Sequence, residues 1–232
     1  MTIIIGLITK SSALVASDGR ILSGAYYEGD IQKRKSTVES DEFDKTFSLK
    51  NGKIIGAISG LMRFQDKTTI EHIKSIAQEN YIVPYSLDKL ANCICKELKS
   101  GLVVVSDEEI LFQFRSLDLI LIGHKSDLDL TYQIKSCRIK ANAKNRNIDY
   151  TIDTIDPVIN NHVYWQLFGD ESSQSKVHIF LNREIGLLNK QNINTLRPIA
   201  YKAIRLGIKH SMVSIFGDHQ TCGGKVYVKN AI

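Results

Sequence analysis

The chain has 232 residues, with 43% hydrophobic and 24% charged side chains and only 3 prolines, which excludes disordered, collagen-like and low-complexity classes. Lys and Arg total 30 against 25 Asp and Glu, a formal net charge of +5 that aids solubility without pointing to nucleic acid. The longest apolar runs, at 3–8 and 119–122, are far shorter than the roughly 18–20 residues a membrane span needs, and no cationic region precedes the first. Neither a membrane segment nor a secretory signal is expected, and the expected compartment is the cytoplasm.

In chain order, the Ile-rich segment 2–9 reads as a buried strand, 10–12 as a turn and 13–17 as a second strand, together a hairpin. Residues 25–44 are polar and charged and read as a long loop. A second hairpin follows, with strands at 46–49 and 54–58 around the turn signal Asn51-Gly52. Apolar residues at helical spacing predict helices over 66–80 and 86–99, the latter opened by Ser86 as a cap. Strands are predicted at 117–123, 128–134 and 164–168. Residues 136–147 carry Arg138, Lys140, Lys144 and Arg146 with no acid and no interleaved aromatic, which reads as a solvated hairpin rim rather than a nucleic-acid patch. Helical spacing resumes weakly from 175 and clearly over 193–210, and 216–228 ends in a strand at 226–228. With no repeat and no linker, 1–232 is expected to form a single domain of α+β class.

The cysteines and histidines give no metal pattern. Cys93 and Cys95 stand two apart on a predicted helix, pointing about 200° apart, so they cannot grip one ion. Cys137 and Cys222 lack a Cys-x-x-Cys partner, and the histidines lack His-Glu-x-x-His spacing. No metal and no cofactor are expected; unpaired thiols fit a reducing compartment.

Chemistry is best supported at the start of the chain. Removal of Met1 before a residue as small as Thr would leave Thr2 with a free α-amine. Such a residue holds a hydroxyl nucleophile and, at an ordinary pKa of about 7.7–8.0, an amine able to take its proton. Sixteen residues on stands Asp18, followed by Gly19-Arg20 and by Ser23-Gly24; Lys45 precedes an apolar hairpin, and Ser59-Gly60 ends its second strand.

This ordered set resembles the β-type proteasome subunits and their bacterial ring-protease relatives among the N-terminal nucleophile hydrolases. The match needs roughly a dozen extra residues in the 25–44 segment, which leaves Lys33, Arg34 and Lys35 as alternatives to Lys45; Lys45 is preferred because it immediately precedes a strand. The resemblance implies a four-layer αββα sandwich. It also implies a threonine-type endopeptidase in which Thr2 attacks the amide, Lys45 supplies positive charge, Asp18 holds Lys45, and the Gly60 N–H receives the oxyanion. The backbone at Leu22 and Ser23 would pair with an extended peptide, with Arg20 as an auxiliary. Towards the C-terminus the likeness thins: Asp170 follows Gly169 where the pattern has Ser, and Cys222 and His219 occupy helper positions, with Asp218 one residue out of register. The implied partners are peptide or protein substrates and identical subunits in a ring; no ATPase partner is readable. Two other functions fit: a non-catalytic structural subunit of such a ring, and an amidase for a small non-peptide amide.

Overall fold

In a computed structural model, the described residues are 2–22, 26–28, 31–34, 37–80, 85–104, 116–142, 147–157, 162–169, 171–186, 193–211 and 220–232. The Ile-rich opening forms β1 (Ile3–Ile8), which turns at Ser11 and Ser12, both donating backbone N–H groups to the Thr9 hydroxyl, into β2 (Ala13–Asp18). The next segment adds β3 (Ile21–Leu22), β4 (Tyr26–Glu28), β5 (Ile31–Arg34) and β6 (Val38–Ser40), and the second hairpin is β7 (Thr46–Leu49) and β8 (Ile54–Gly60). Two short strands, β9 (Arg63–Phe64) and β10 (Lys67–Thr68), lead into α1 (Thr69–Glu79). Thr68 and Glu71 close a capping box there, which satisfies the first-turn N–H groups. Then come α2 (Leu87–Val104), β11 (Ser116–His124), β12 (Tyr132–Asn142), β13 (Asn147–Ile155), β14 (Tyr164–Gly169), α3 (Glu171–Gly186), α4 (Ile193–His210) and β15 (Val226–Asn230).

The strands form a four-stranded sheet in the order β14-β1-β2-β15 and a five-stranded sheet in the order β13-β12-β11-β8-β7, every pairing antiparallel. β1 is apolar on both faces because both faces are covered. Ile3, Ile5 and Leu7 pack with Val177, Leu181, Leu196 and Ala203 of α3 and α4, while Ile4 and Ile8 meet Ile55, Ala57, Ile120 and Ile122 of the other sheet. On the far side of that sheet, Leu119 and Leu121 pack against Leu90, Ile94 and Leu98 of α2. Each Val, Leu or Ile among these contributes about 1.5–3 kcal/mol of burial. The class is α+β with antiparallel sheets. Among the described residues no helix is long and apolar enough to cross a membrane.

Several expectations from sequence need correction. The expected loop at 25–44 contains β4, β5 and β6, with β6 paired on β3. The basic stretch expected as a hairpin rim is largely strand: β12 runs to Asn142, and Arg138 sits inside the sheet pair with its Nε 2.5 Å from Asp118 and its guanidinium 4.8 Å from the Phe168 ring centre. The strand expected from 128 starts at Tyr132, the helix expected from 66 starts at Thr69, and α3 is a full helix where spacing was weak. β13 was not expected, although Ile148, Tyr150 and Ile152 alternate with the exposed Asp149, Thr151 and Asp153 at the strand period; its buried residue Ile148 faces α2.

Asp118 is 5% exposed, and burial raises its carboxyl above the ordinary 3.8 despite the opposing bond from Arg138. The native state therefore keeps this proton at pH values where the unfolded chain has lost it. The contribution of Asp118 to stability falls as pH rises from 3.8 through the raised native value. Urea unfolding of wild type and Asp118→Asn across that window should show wild type losing stability relative to the variant as pH rises. A pH-independent difference would contradict this assignment.

Candidate active site

The two hairpins bring distant residues together. Thr2 lies at the start of β1 and Asp18 at the end of β2, so the antiparallel pairing of these strands puts both at one end of the first sheet. Lys45 immediately precedes β7 at the matching end of the second sheet, its carbonyl accepting from the Ile58 N–H of β8 at 3.1 Å. Thr2 is 3% exposed, and Asp18 and Lys45 are 0% exposed.

The Lys45 ammonium has three hydrogens and meets three acceptors: the Thr2 hydroxyl at 2.7 Å, Asp18 Oδ1 at 3.0 Å and the Arg20 carbonyl at 2.6 Å. Asp18 is equally committed. Its Oδ1 also accepts from the Ile3 N–H at 3.0 Å, and its Oδ2 accepts from the N–H groups of Arg20 at 3.2 Å and Gly223 at 3.1 Å. A buried ion pair survives desolvation only when its remaining hydrogen-bonding capacity is met in this way. The arrangement holds the Thr2 oxygen, like the Arg20 carbonyl an uncharged acceptor, against a cation.

Arg20 supports the cluster from outside. Its Nε and Nη2 grip the two Asp41 oxygens at 2.6 and 2.9 Å, and its Nη1 donates to the Gln220 carbonyl at 3.0 Å. The Asp41 hydrogen bond, above all, holds the guanidinium above its ordinary value. Backbone bonds stitch the same region: Phe43 N–H to the Gly19 carbonyl, Gly19 N–H to the Gly223 carbonyl, and Lys225 N–H to the Asp41 carbonyl. Asp41 lies in the segment read as loop, and sequence gave no signal for it beyond its acidity. The backbone donors of Ile3 and Gly223 were equally silent, since every non-proline residue has one.

Of the remaining expected residues, Gly60 ends β8 two residues beyond Ile58, the partner of Lys45, and is exposed with φ at +97°. A Cβ there would fall 1.9 Å from the Ser116 carbonyl oxygen, so only glycine fits. Gly60→Ala should cost about 1–2 kcal/mol from the left-handed backbone alone, with the clash adding to it, read as a lowered urea midpoint. An unchanged midpoint would mean that β8 can end differently. Gly169, at φ +138°, likewise admits the Thr2 carbonyl, which a Cβ would approach to 1.9 Å.

Leu22 lies on β3, where its backbone faces Val38 of β6 on one edge. Cys222 is fully buried and exchanges bonds of 3.4 and 3.5 Å with the Ser211 hydroxyl through its own N–H and carbonyl; it reaches the cluster through its neighbour Gly223. Ser23, Asp170 and Asp218 lie outside the described residues, as does Lys35, while Lys33 and Arg34 fall on β5. Among the described residues no group of three or more His, Cys, Asp or Glu is placed to hold a metal.

No family model matches the chain, and no curated protein does. Among solved structures, the chain is similar to Anbu (ancestral beta-subunit) from Yersinia bercovieri, at 13% identity over 98% of this chain and 81% of that one, with a TM-score of 0.57. It is also similar to the helical assembly of the Anbu complex from Pseudomonas aeruginosa, at 10% identity over 98% of this chain and 80% of that one, with a TM-score of 0.59. These findings correct the membership expected from sequence, in β-type proteasome subunits and bacterial ring threonine proteases. The motifs behind it occupy only the first ~65 residues, a stretch too short to carry family membership when the rest departs from the pattern. What the comparisons establish is an α+β fold shared with Anbu.

Proposed function

We propose that the chain is a threonine-type endopeptidase whose nucleophile is the hydroxyl of Thr2 once Met1 has been removed. The observation that carries this reading is the Lys45 ammonium 2.7 Å from the Thr2 oxygen, anchored on Asp18 and on the Arg20 carbonyl.

The α-amine of Thr2 takes the hydroxyl proton as Oγ bonds to the carbonyl carbon of the substrate amide. Lys45 offers its charge to the oxygen losing that proton, and the Gly60 N–H donates to the developing oxyanion, where one donor is worth roughly 2.7–4 kcal/mol. The amine then passes the proton to the leaving nitrogen, the C–N bond breaks, and the acyl group remains as an ester on Thr2. Water attacks that ester, gives its proton to the same amine, and the proton returns to the Thr2 oxygen as the acid product leaves. Asp18 and Arg20 position Lys45 rather than touching substrate. β3 at Leu22 would receive an extended peptide on the edge opposite β6, with Ser23 following it in sequence, and Arg20, Asp170, Asp218 and Cys222 would be auxiliaries.

The same reading treats 1–232 as one domain, takes the sheets and helices as a four-layer αββα sandwich, and assigns the protein to the cytoplasm as a homo-oligomeric ring that needs neither metal nor cofactor. Support for assembly is the likeness to Anbu, which forms a helical assembly in Pseudomonas aeruginosa.

The test is turnover by the processed protein on fluorogenic peptide amides beside small non-peptide amides. Peptide cleavage is expected. Cleavage of the small amides alone would make the protein an amidase. No cleavage of either, with Met1 shown to be absent, would leave a structural subunit as the better reading.

A further inference from the structure

We infer that β13 of one copy pairs with the open edge of β15 of another, so that the chain assembles head to tail through two oppositely charged sheet edges. β15 closes its sheet, pairing with β2 alone among the described strands, and β13 closes the other, pairing with β12 alone. Each presents a row of backbone N–H and C=O groups that a further strand would satisfy.

The two edges differ sharply in charge. Beside β15 runs α4, which carries Arg197, Lys202, Arg205 and Lys209 and no acid. Between helix and strand lies a groove of about 470 Å³ lined by Arg197, Pro198, Tyr201 and Lys202 on one wall and Val226 and Val228 on the other. The segment 220–232 adds Lys225 and Lys229, again with no acid, although Lys229 Nζ lies 3.8 Å from Asp44 Oδ2. Segment 147–157 is the opposite, with Asp149, Asp153 and Asp156 and no base. Asp149 and Asp153 are both exposed; Asp149 meets Lys99 at 3.2 Å, an exposed contact of little strength, and stands across from the exposed Lys140 of β12, whereas Asp153 stands across from Ser136. Arg197 and Lys202 have no ion pair among the described residues.

The placement suits a repeating contact. β15 lies over β7, with Lys229 Nζ reaching the Thr46 carbonyl at 3.4 Å, whereas β14 lies over β11 and β12, one strand short of β13. The basic edge and the acidic edge therefore occupy opposite margins of the paired sheets. A contact between unlike patches on opposite margins is heterologous, and it closes into a ring or continues as a helix according to the rotation per subunit. Complementary charge selects the partner edge and rejects like-charged ones, including a second copy of the same edge.

The inference rests on the assembly part of the proposed function and is separable from it by charge reversal. Light scattering of wild type at micromolar concentration should give a multiple of 26.1 kDa. Asp149→Lys with Asp153→Lys, and separately Arg197→Glu with Lys202→Glu, should each reduce the mass to that of a monomer. Circular dichroism should show both reversed chains folded. Mixing them should restore the oligomer, because the reversed β13 edge then meets the reversed α4 edge and the two unaltered edges meet each other. Should a reversed chain misfold, Asp153→Asn and Lys202→Gln should weaken assembly in the same direction. Variants that assemble like wild type would overturn the interface and leave oligomerisation standing. A monomeric wild type would overturn both, without touching the proposed chemistry.

Discussion

Thr2→Ala should abolish amide hydrolysis, lowering the rate by roughly 10³-fold or more, because both the bond-forming oxygen and the acyl carrier disappear. The loss should fall on kcat, since the hydroxyl bonds to the substrate only as the transition state is reached. Thr2→Ser keeps an oxygen for the Lys45 ammonium to meet and should retain part of the activity. Thr2→Ala should remain folded: the hydroxyl accounts for one of three acceptors around Lys45, and Asp18 and the Arg20 carbonyl remain. Peptide turnover beside thermal unfolding separates the two effects. An Ala variant as active as wild type would place the nucleophile elsewhere.

Asp18→Ala is expected to have the largest effect on stability. Its carboxylate accepts from Ile3, Arg20, Gly223 and Lys45, all within the buried end of the sheet pair. Removing it strands the Lys45 ammonium at 0% exposure together with three backbone donors. Breaking one partner of a buried pair costs about 3–5 kcal/mol. For a chain of this length that corresponds to a fall in melting temperature of roughly 6–20 °C. Asp18→Asn should lose less, because its amide oxygen can still accept from backbone. Thermal unfolding of the three proteins checks the order wild type, Asn, Ala. Equal stability of Ala and wild type would mean that the Lys45 charge is met by another group.

The parts of the fold legible in sequence are those with an uninterrupted period. β1 and β2 are apolar, the Asn51-Gly52 turn marks the β7–β8 hairpin, and α1, α2 and α4 show apolar residues every three to four positions. The proximity of Thr2 and Asp18 was legible because one hairpin carries both strand ends to one place, whereas Lys45, on a hairpin of the other sheet, was added by the resemblance alone. β13 alternates Ile148, Tyr150 and Ile152 with Asp149, Thr151 and Asp153, a strand period that went unread, and β12 was read only as far as 134 because the basic residues beyond it suggest solvent, whereas Arg138 is tied to Asp118. Asp41 escaped because nothing local distinguishes an acid that anchors Arg20 from one that faces water. Family membership was over-read from a short ordered motif: the solved structures the chain resembles are those of Anbu, at 13% and 10% identity.

The most direct measurement is mass spectrometry of the processed protein after reaction with a peptide epoxyketone, an electrophile that closes a ring only with a hydroxyl and an α-amine on the same residue. The account predicts loss of Met1 and one adduct per chain, mapped to Thr2. It further predicts no adduct on Thr2→Ala and a strongly slowed one on Lys45→Ala, with the latter shown to be folded. Retention of Met1, or an adduct mapped to any residue other than Thr2, would contradict it.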